Sequence, residues 1–368
     1  MLSPQELERY QRHFPLPGFG KEGQEKLKNA KILIVGCGGL GNPVAIYLAA
    51  AGIGNIGLVD FDRVNVSNLQ RQVMFQETDV DKLKVDILKE RITALNSFCN
   101  VTTYTIKLES SNALEIINQY DLAIDCTDNF PVRYLLNDAC ILTNKPFVYG
   151  SIYQFEGQVS VFNVNGSSNY RDLYPEPPSP LFVTNCETGG VIGTLPGIVG
   201  TIQANEVIKL ICSIGESLID KLLIIDCLTM RSTTIKIKNH NTKRNISELI
   251  DYEMFCGTKT EMKMKEISVS ELNQMIESNE DFQLIDVRES HEVEISTLNG
   301  EHIPLGEIPN NEDKIAKDKK VIIHCRSGAR SGQAVQYLES KLGLNNLYNL
   351  RGGILAWADE IDPSMSKY

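Results

Sequence analysis

The chain has 368 residues of ordinary globular composition, which is too long for one core and predicts two domains. Its formal net charge is −11, of which −7 lies from Lys265 onward, where 18 acidic residues face 11 basic ones; neither part offers a basic field for nucleic acid. Nine cysteines with no C-x-x-C pair and no signal peptide exclude a disulfide-stapled fold and predict reduced thiols in a cytoplasmic protein.

Residues 1 to 30 read as charged helix carrying Arg9, Tyr10 and Arg12. Lys31 to Val35 begins the first strand, followed by the turn Gly36-Cys37-Gly38-Gly39-Leu40-Gly41, a helix through Ala51 and a strand at Ile56 to Val59. The stretch Ile32 to Val59 has no charged residue, but its glycines with Asn42 and Pro43 cut it into strand, turn and helix, so no membrane span is expected. A long helix at Lys82 to Leu95, a strand at Leu122 to Asp125 ending in Cys126-Thr127-Asp128-Asn129, a helix containing Arg133 to Leu142 and a strand at Phe147 to Gly150 continue the alternation. The pattern predicts an α/β fold: a doubly wound, Rossmann-like, mostly parallel sheet with ligands at the carboxyl ends of its strands.

From Ile152 to Val164 and from Leu222 to Ile237 the alternation has a period of two, which predicts antiparallel strands extending the same sheet. Between them Gly166 to Gly190 reads as a long loop carrying Cys186. The boundaries expected are residues 1–255, a linker at 256–265 and a second domain at 266–368. That domain reads as helix Ser270 to Glu277, strand Gln283 to Asp286, strand Lys320 to His324, helix Ser331 to Leu342, strand Leu347 to Leu350 and a last helix with Trp357 in its core, a smaller α/β unit.

A G-x-G-x-x-G turn serves NAD-dependent dehydrogenases and ATP users alike, and Asp60 has the spacing of a ribose ligand in either. Arg71, Lys84 and Asp128 stand at or just beyond strand ends, giving two cations and one magnesium ligand for a triphosphate. Hydride transfer has no use for that set. A dehydrogenase fused to a sulfurtransferase and a non-catalytic scaffold stand as the rival readings.

The turn Gly36 to Gly41, Asp60-Phe61-Asp62, Ser67-Asn68-Leu69-Gln70-Arg71-Gln72, Lys84 and Cys126-Thr127-Asp128-Asn129-Phe130 together resemble the ubiquitin-activating type of adenylyltransferase, the ThiF/MoeB/HesA family, over residues 1 to 256. The resemblance is greatest to the molybdopterin-synthase and thiazole-synthesis enzymes that activate small sulfur-carrier proteins. It implies that Gly36, Gly38, Gly39, Gly41, Asp60 and Asp62 form the ATP site, and that Ser67, Asn68, Leu69, Gln70, Arg71, Gln72 and Lys84 contact the nucleotide and its phosphates. Asp128 with Asn129 would place Mg2+ and the adenylate, and Arg12 would reach the site of a second copy in a homodimer. The chemistry needs no general base, because a carrier's terminal carboxylate is already ionised at pH 7; charge neutralisation and in-line placement suffice.

Strand Val321 to His324 runs into Cys325-Arg326-Ser327-Gly328-Ala329-Arg330 and then a helix, so backbone N–H groups and a helix N-terminus favour the Cys325 thiolate. This loop is similar to that of rhodanese domains, and Asp286-Val287-Arg288-Glu289, Ile303-Pro304-Leu305 and Arg351-Gly352-Gly353 match the same family. Cysteine-dependent phosphatases are the rival, but their loops place five residues between cysteine and arginine, whereas four separate Cys325 from Arg330. Cys186 matches a mobile-loop cysteine that, in the adenylyltransferase family, links covalently to the carrier's terminal glycine.

Many of those relatives hold zinc with two C-x-x-C pairs, but the matching positions here are Asn169 with Asp172 and Glu253 with Cys256, so no zinc is expected. The joint implication is ATP-dependent adenylation of a ubiquitin-like carrier's terminal glycine. A persulfide on Cys325, loaded by a sulfur donor such as a cysteine desulfurase, then gives a thiocarboxylate. Molybdopterin synthesis is the leading pathway, and thiamine or tRNA-thiolation carriers are the alternatives.

Overall fold

The computed structural model describes residues 1–178, 189–242, 246–257 and 264–368. Two compact units emerge, the first built on Met1–Pro177 and the chain up to Cys256, the second on the chain from Gly257 to Tyr368.

The first unit contains strands β1 (Lys31–Val35), β2 (Asn55–Val59), β3 (Asn100–Tyr104), β4 (Leu122–Asp125), β5 (Phe147–Tyr153), β6 (Glu156–Phe162), β7 (Lys221–Asp226) and β8 (Arg231–Lys236). They form one sheet in the order β3-β2-β1-β4-β5-β6-β7-β8. The pairings from β3 across to β5 are parallel, and those from β5 to β8 are antiparallel. β1 and β4 are apolar almost throughout and buried, as central parallel strands covered by helices on both faces must be. β8 is polar and exposed along its whole length, which suits a sheet edge.

Several local expectations need correction. Residues 1 to 30 are not one helix: Pro4–Arg9 and Gly20–Asn29 are helical, and between them Tyr10 and Phe19 turn into the core. The loop after Gly166 holds a short helix, Tyr170–Leu173, whose N-terminus Asn169 caps. β3 was not foreseen, because its sequence Asn-Val-Thr-Thr-Tyr is too polar and too short for its periodicity to stand out.

The second unit contains strands β9 (Glu266–Ile267), β10 (Phe282–Asp286), β11 (Glu301–His302), β12 (Lys320–His324) and β13 (Leu347–Leu350), in the order β11-β10-β12-β13-β9 and all parallel. Helices Val269–Glu277, Ala329–Leu342 and Gly353–Glu360 accompany them. Trp357 packs with Ile267, Leu272, Met275 and Leu350 in one of its two apolar clusters. Cys325 leaves the end of the central β12, where chain direction and helix dipole both point at its sulfur.

Candidate active site

β1 lies between β2, which follows it, and β4, to which the chain returns on the other side. The carboxyl ends of β1 and β4 therefore form the crevice where an open α/β sheet receives a ligand. Gly36 begins the turn there with φ +93°, and a Cβ on it would stand 2.6 Å from the Cys126 carbonyl oxygen. A Cβ on Gly41 would lie 2.1 Å from the Gly36 oxygen, so only glycine allows the helix Gly41–Ala51 to start against the turn. Gly38 has no such constraint and faces the Gln72 amide, whereas a Cβ on Gly39 would stand 3.1 Å from the Pro196 ring and 3.7 Å from the Arg71 stem.

The turn is braced from beneath. Asp60 Oδ2 accepts the Cys37 N–H at 2.7 Å, and its Oδ1 accepts the Asp62 N–H at 2.8 Å. Burial pushes the Asp60 carboxyl above the usual range, against the pull of Lys84 and these two N–H groups. Lys84 is 6% exposed and pairs with Asp62 Oδ2 at 2.8 Å. Asn42, which the sequence reading missed, donates to the Cys37 carbonyl and accepts the Met74 N–H, tying the turn to the segment after Gln72. Burial and then Asp60 push the Cys37 thiol well up, so that thiol is packing rather than a nucleophile.

The segment 65–72 forms the flank. Asn65 caps its short 3₁₀ turn by accepting the Ser67 N–H and hydroxyl, while Asn68 accepts the Asn65 N–H. Leu69 packs on the core, Arg71 donates back to the Ser67 carbonyl at 3.1 Å, and the exposed Gln70 lies beside Gly193. Gln72 is 4% exposed, and its Oε1 has no hydrogen-bond partner. An orphaned amide oxygen beside the open Gly38 is what a site built for a polar ligand leaves behind.

On the β4 side, Asn129 rather than Asp128 caps the helix Phe130–Leu142, accepting the Val132 N–H at 3.0 Å. Asp128 is exposed, without a hydrogen bond or ion pair among the described residues. Beneath the loop lies a pair that the sequence reading also missed. Arg133 bonds Asp125 at 2.9 Å and the Thr127 carbonyl at 3.1 Å, and Thr127 in turn donates to Asp125. Both members are buried inside an apolar helix and strand, where no single-residue pattern marks them.

Arg12 is exposed in the turn between the first two helices. No group of three or more His, Cys, Asp or Glu side chains placed for a metal occurs among the described residues. Cys186 lies outside the described residues, as does most of the expected linker. The eight cysteines that are described are all unpaired thiols.

In the second unit Cys325 is 1% exposed, and its Sγ accepts the Gly328 N–H at 3.2 Å, with Ser331 Oγ at 3.4 Å. Gly328 has φ +94°, the left-handed turn that aims this N–H inward as the helix Ala329–Leu342 starts. Arg330 is not free: Glu292 holds both its terminal nitrogens, at 2.6 and 2.7 Å. Burial raises the Glu292 carboxyl, but Arg330 and the Glu289 N–H outweigh it and bring it down to about 2. Arg288 is fully buried and forked on Asp286, and Tyr368 bridges its guanidinium to Glu292. Arg326 donates to the Tyr368 carbonyl at 2.7 Å.

Two family profiles match the chain: that of the ThiF family over residues 10–246 and that of the rhodanese-like domain over residues 268–360. A protein of Mycobacterium tuberculosis named "Probable adenylyltransferase/sulfurtransferase MoeZ" is 43% identical over all of this chain and 96% of its own length. "Adenylyltransferase and sulfurtransferase MOCS3" of Drosophila yakuba is 40% identical over all of this chain and 86% of its own length, and the protein of that name from Xenopus laevis is 39% identical. Among solved structures, Escherichia coli MccB with MccA-N7isoASN superposes with a TM-score of 0.56 at 25% identity, covering 63% of this chain and 72% of that one. The same fold was crystallised with ATP, at the same TM-score and identity.

Proposed function

The chain belongs to the ThiF family and carries a rhodanese-like domain behind it, and from that premise we propose that it is an adenylyltransferase and sulfurtransferase acting on a ubiquitin-like sulfur carrier. The supporting observation is the crevice at the ends of β1 and β4, where the glycine turn, Gln72 Oε1, which has no partner among the described residues, Arg71 and the Asp60–Lys84–Asp62 cluster lie together.

Bound MgATP would supply the adenylyl group and pyrophosphate as leaving group. Gly38 and Gly39 admit phosphate to the backbone, Arg71 and Lys84 offset its charge, and Asp60 with Gln72 offers acceptors to the nucleoside. Asp128 is the carboxylate left over for Mg2+, which needs only one or two beside the phosphates. Arg12 serves the crevice of a second copy, so the working species is a homodimer. The carrier's terminal carboxylate, once adenylated, is open to attack by sulfur.

Cys325 carries that sulfur as a persulfide received from a donor such as a cysteine desulfurase; its terminal sulfur displaces AMP from the carrier, and a thiol then attacks Cys325 Sγ in the resulting acyl disulfide, releasing the thiocarboxylate and ending, with a second thiol, as a disulfide. Where Cys186 first takes the carrier as a thioester, AMP leaves at that step and the Cys186 thiolate is the group the persulfide displaces. The place of action is the cytoplasm, and the pathway is molybdopterin synthesis. Incubating the protein with MgATP, a persulfide donor, a thiol reductant and carriers ending in Gly-Gly, then weighing the carriers by mass spectrometry, tests the whole reading. A carrier that exchanges one oxygen for sulfur supports it; carriers left unchanged, with no pyrophosphate released, would refute it.

A further inference from the structure

Around Cys325 there are more acceptors than protons. Ser331 Oγ lies 3.4 Å from the sulfur and 2.7 Å from Asn349 Oδ1, with Ser331 fully buried and Asn349 3% exposed. The orientation of the Asn349 amide follows from its other end, where Nδ2 faces Glu266 Oε1 at 3.4 Å; turned over, its oxygen would confront that carboxylate. A hydroxyl has one proton to give. With Cys325 protonated, the S–H can donate to Ser331 Oγ while the hydroxyl donates to Asn349. Once the sulfur is an anion, the same hydroxyl must turn to it and leave Asn349 without a donor.

We propose that Ser331 and Asn349 are positioning residues for the sulfur chemistry of Cys325: they contend over one hydroxyl proton, Ser331 steadying the sulfur anion and Asn349 drawing the proton away. None of the described charged side chains around the loop bonds the sulfur. Arg330 is bonded to Glu292 and acts on Cys325 only through space, Arg326 is turned to Tyr368, and Asp286 is forked by Arg288. His324 is neutral at pH 7, because burial holds it at about 4, and Glu266 stands behind Asn349. Among the described residues only Gly328 and Ser331 donate to the sulfur. This inference rests on Cys325 being the sulfur-carrying nucleophile, whose own failure would show as no persulfide on Cys325 of the unaltered chain.

The test is the rate of iodoacetamide alkylation at Cys325, followed on its peptide by mass spectrometry from pH 5 to 10 in the full chain. Ser331→Ala should move the midpoint of the rate profile to higher pH. Asn349→Leu, of similar shape, should move it to lower pH by freeing the hydroxyl for the sulfur. Each shift should be about one pH unit, roughly a tenfold change in rate below the midpoint. Ser331→Thr, which keeps the hydroxyl, should restore the unaltered profile and guards against a folding defect. Midpoints that stay put or move together in the two variants would overturn the inference.

Discussion

The Lys84 ammonium sits 2.8 Å from the Asp62 carboxylate, with the lysine almost wholly buried and the aspartate half exposed. The pair is lopsided. Water shields Asp62 and leaves Lys84 as the less solvated charge, directed into the crevice near Asp60. Lys84→Ala should therefore lower carrier-dependent ATP–pyrophosphate exchange about a hundredfold or more. Asp62→Asn, which removes only the shielded partner, should cost far less; equal losses in the two exchange assays would contradict this division.

Asp128 and Asn129 are neighbours with separable roles. Asn129 accepts the Val132 N–H as a helix cap, so Asn129→Ala should lower stability by about 1 kcal/mol, read as a lower denaturation midpoint. Asp128 bonds nothing among the described residues, so Asp128→Ala should keep the wild-type midpoint and lose the exchange reaction. A wild-type exchange rate in that variant would remove Asp128 from the mechanism.

These two residues also show how much the sequence made legible. Glycine spacing and charged residues at strand ends pointed to the crevice, because phosphate chemistry needs those types at those places. What stayed hidden was the support beneath: Asn42, the Asp125–Arg133 pair, Glu292 and Ser331. Each acts through a partner distant in the chain or on another element, and such contacts have no period or spacing. Arg330, named a catalytic residue from the sequence, illustrates the cost, since Glu292, 38 residues earlier, holds its guanidinium.

Glu292 gives a pH prediction. Its folded-state carboxyl titrates at about 2, below the usual 4.5. The stability it contributes is therefore full above pH 4.5 and is lost as pH falls toward 2. Glu292→Gln should be less stable than the unaltered protein at pH 7, and the gap should narrow below pH 4.5 in urea titrations. A gap independent of pH would mean that Arg330 is not held by charge.

His324 carries a second titration. Both ring nitrogens lack hydrogen bonds, and burial holds the group down to about 4 although Asp286 lies 3.7 Å away. The unfolded chain binds a proton near pH 6.5 that the folded one refuses, so stability falls as pH drops from 6.5 to 4. His324→Leu should flatten that part of the stability profile; an unchanged slope would show that the imidazole is charged in the fold.

At Asn169 and Asp172, two of the positions that the resemblance sets against zinc ligands, the side chains bond one another instead. Asn169 donates to Asp172 at 2.8 Å and to the Thr242 hydroxyl at 2.8 Å, while Asp172 accepts from His240 and Thr242. These bonds join the segment after β6 to the segment after β8. Arg171 and Tyr252 both hold Asp138, drawing the end of the first unit onto the helix Phe130–Leu142. A chelator should accordingly leave the thermal midpoint unchanged, and the purified protein should contain no stoichiometric zinc. Asp172→Ala should lower the midpoint in either condition, by the roughly 1–3 kcal/mol that orphaned buried donors cost. A midpoint that fell with chelator alone would replace this hydrogen-bonded clasp with a metal.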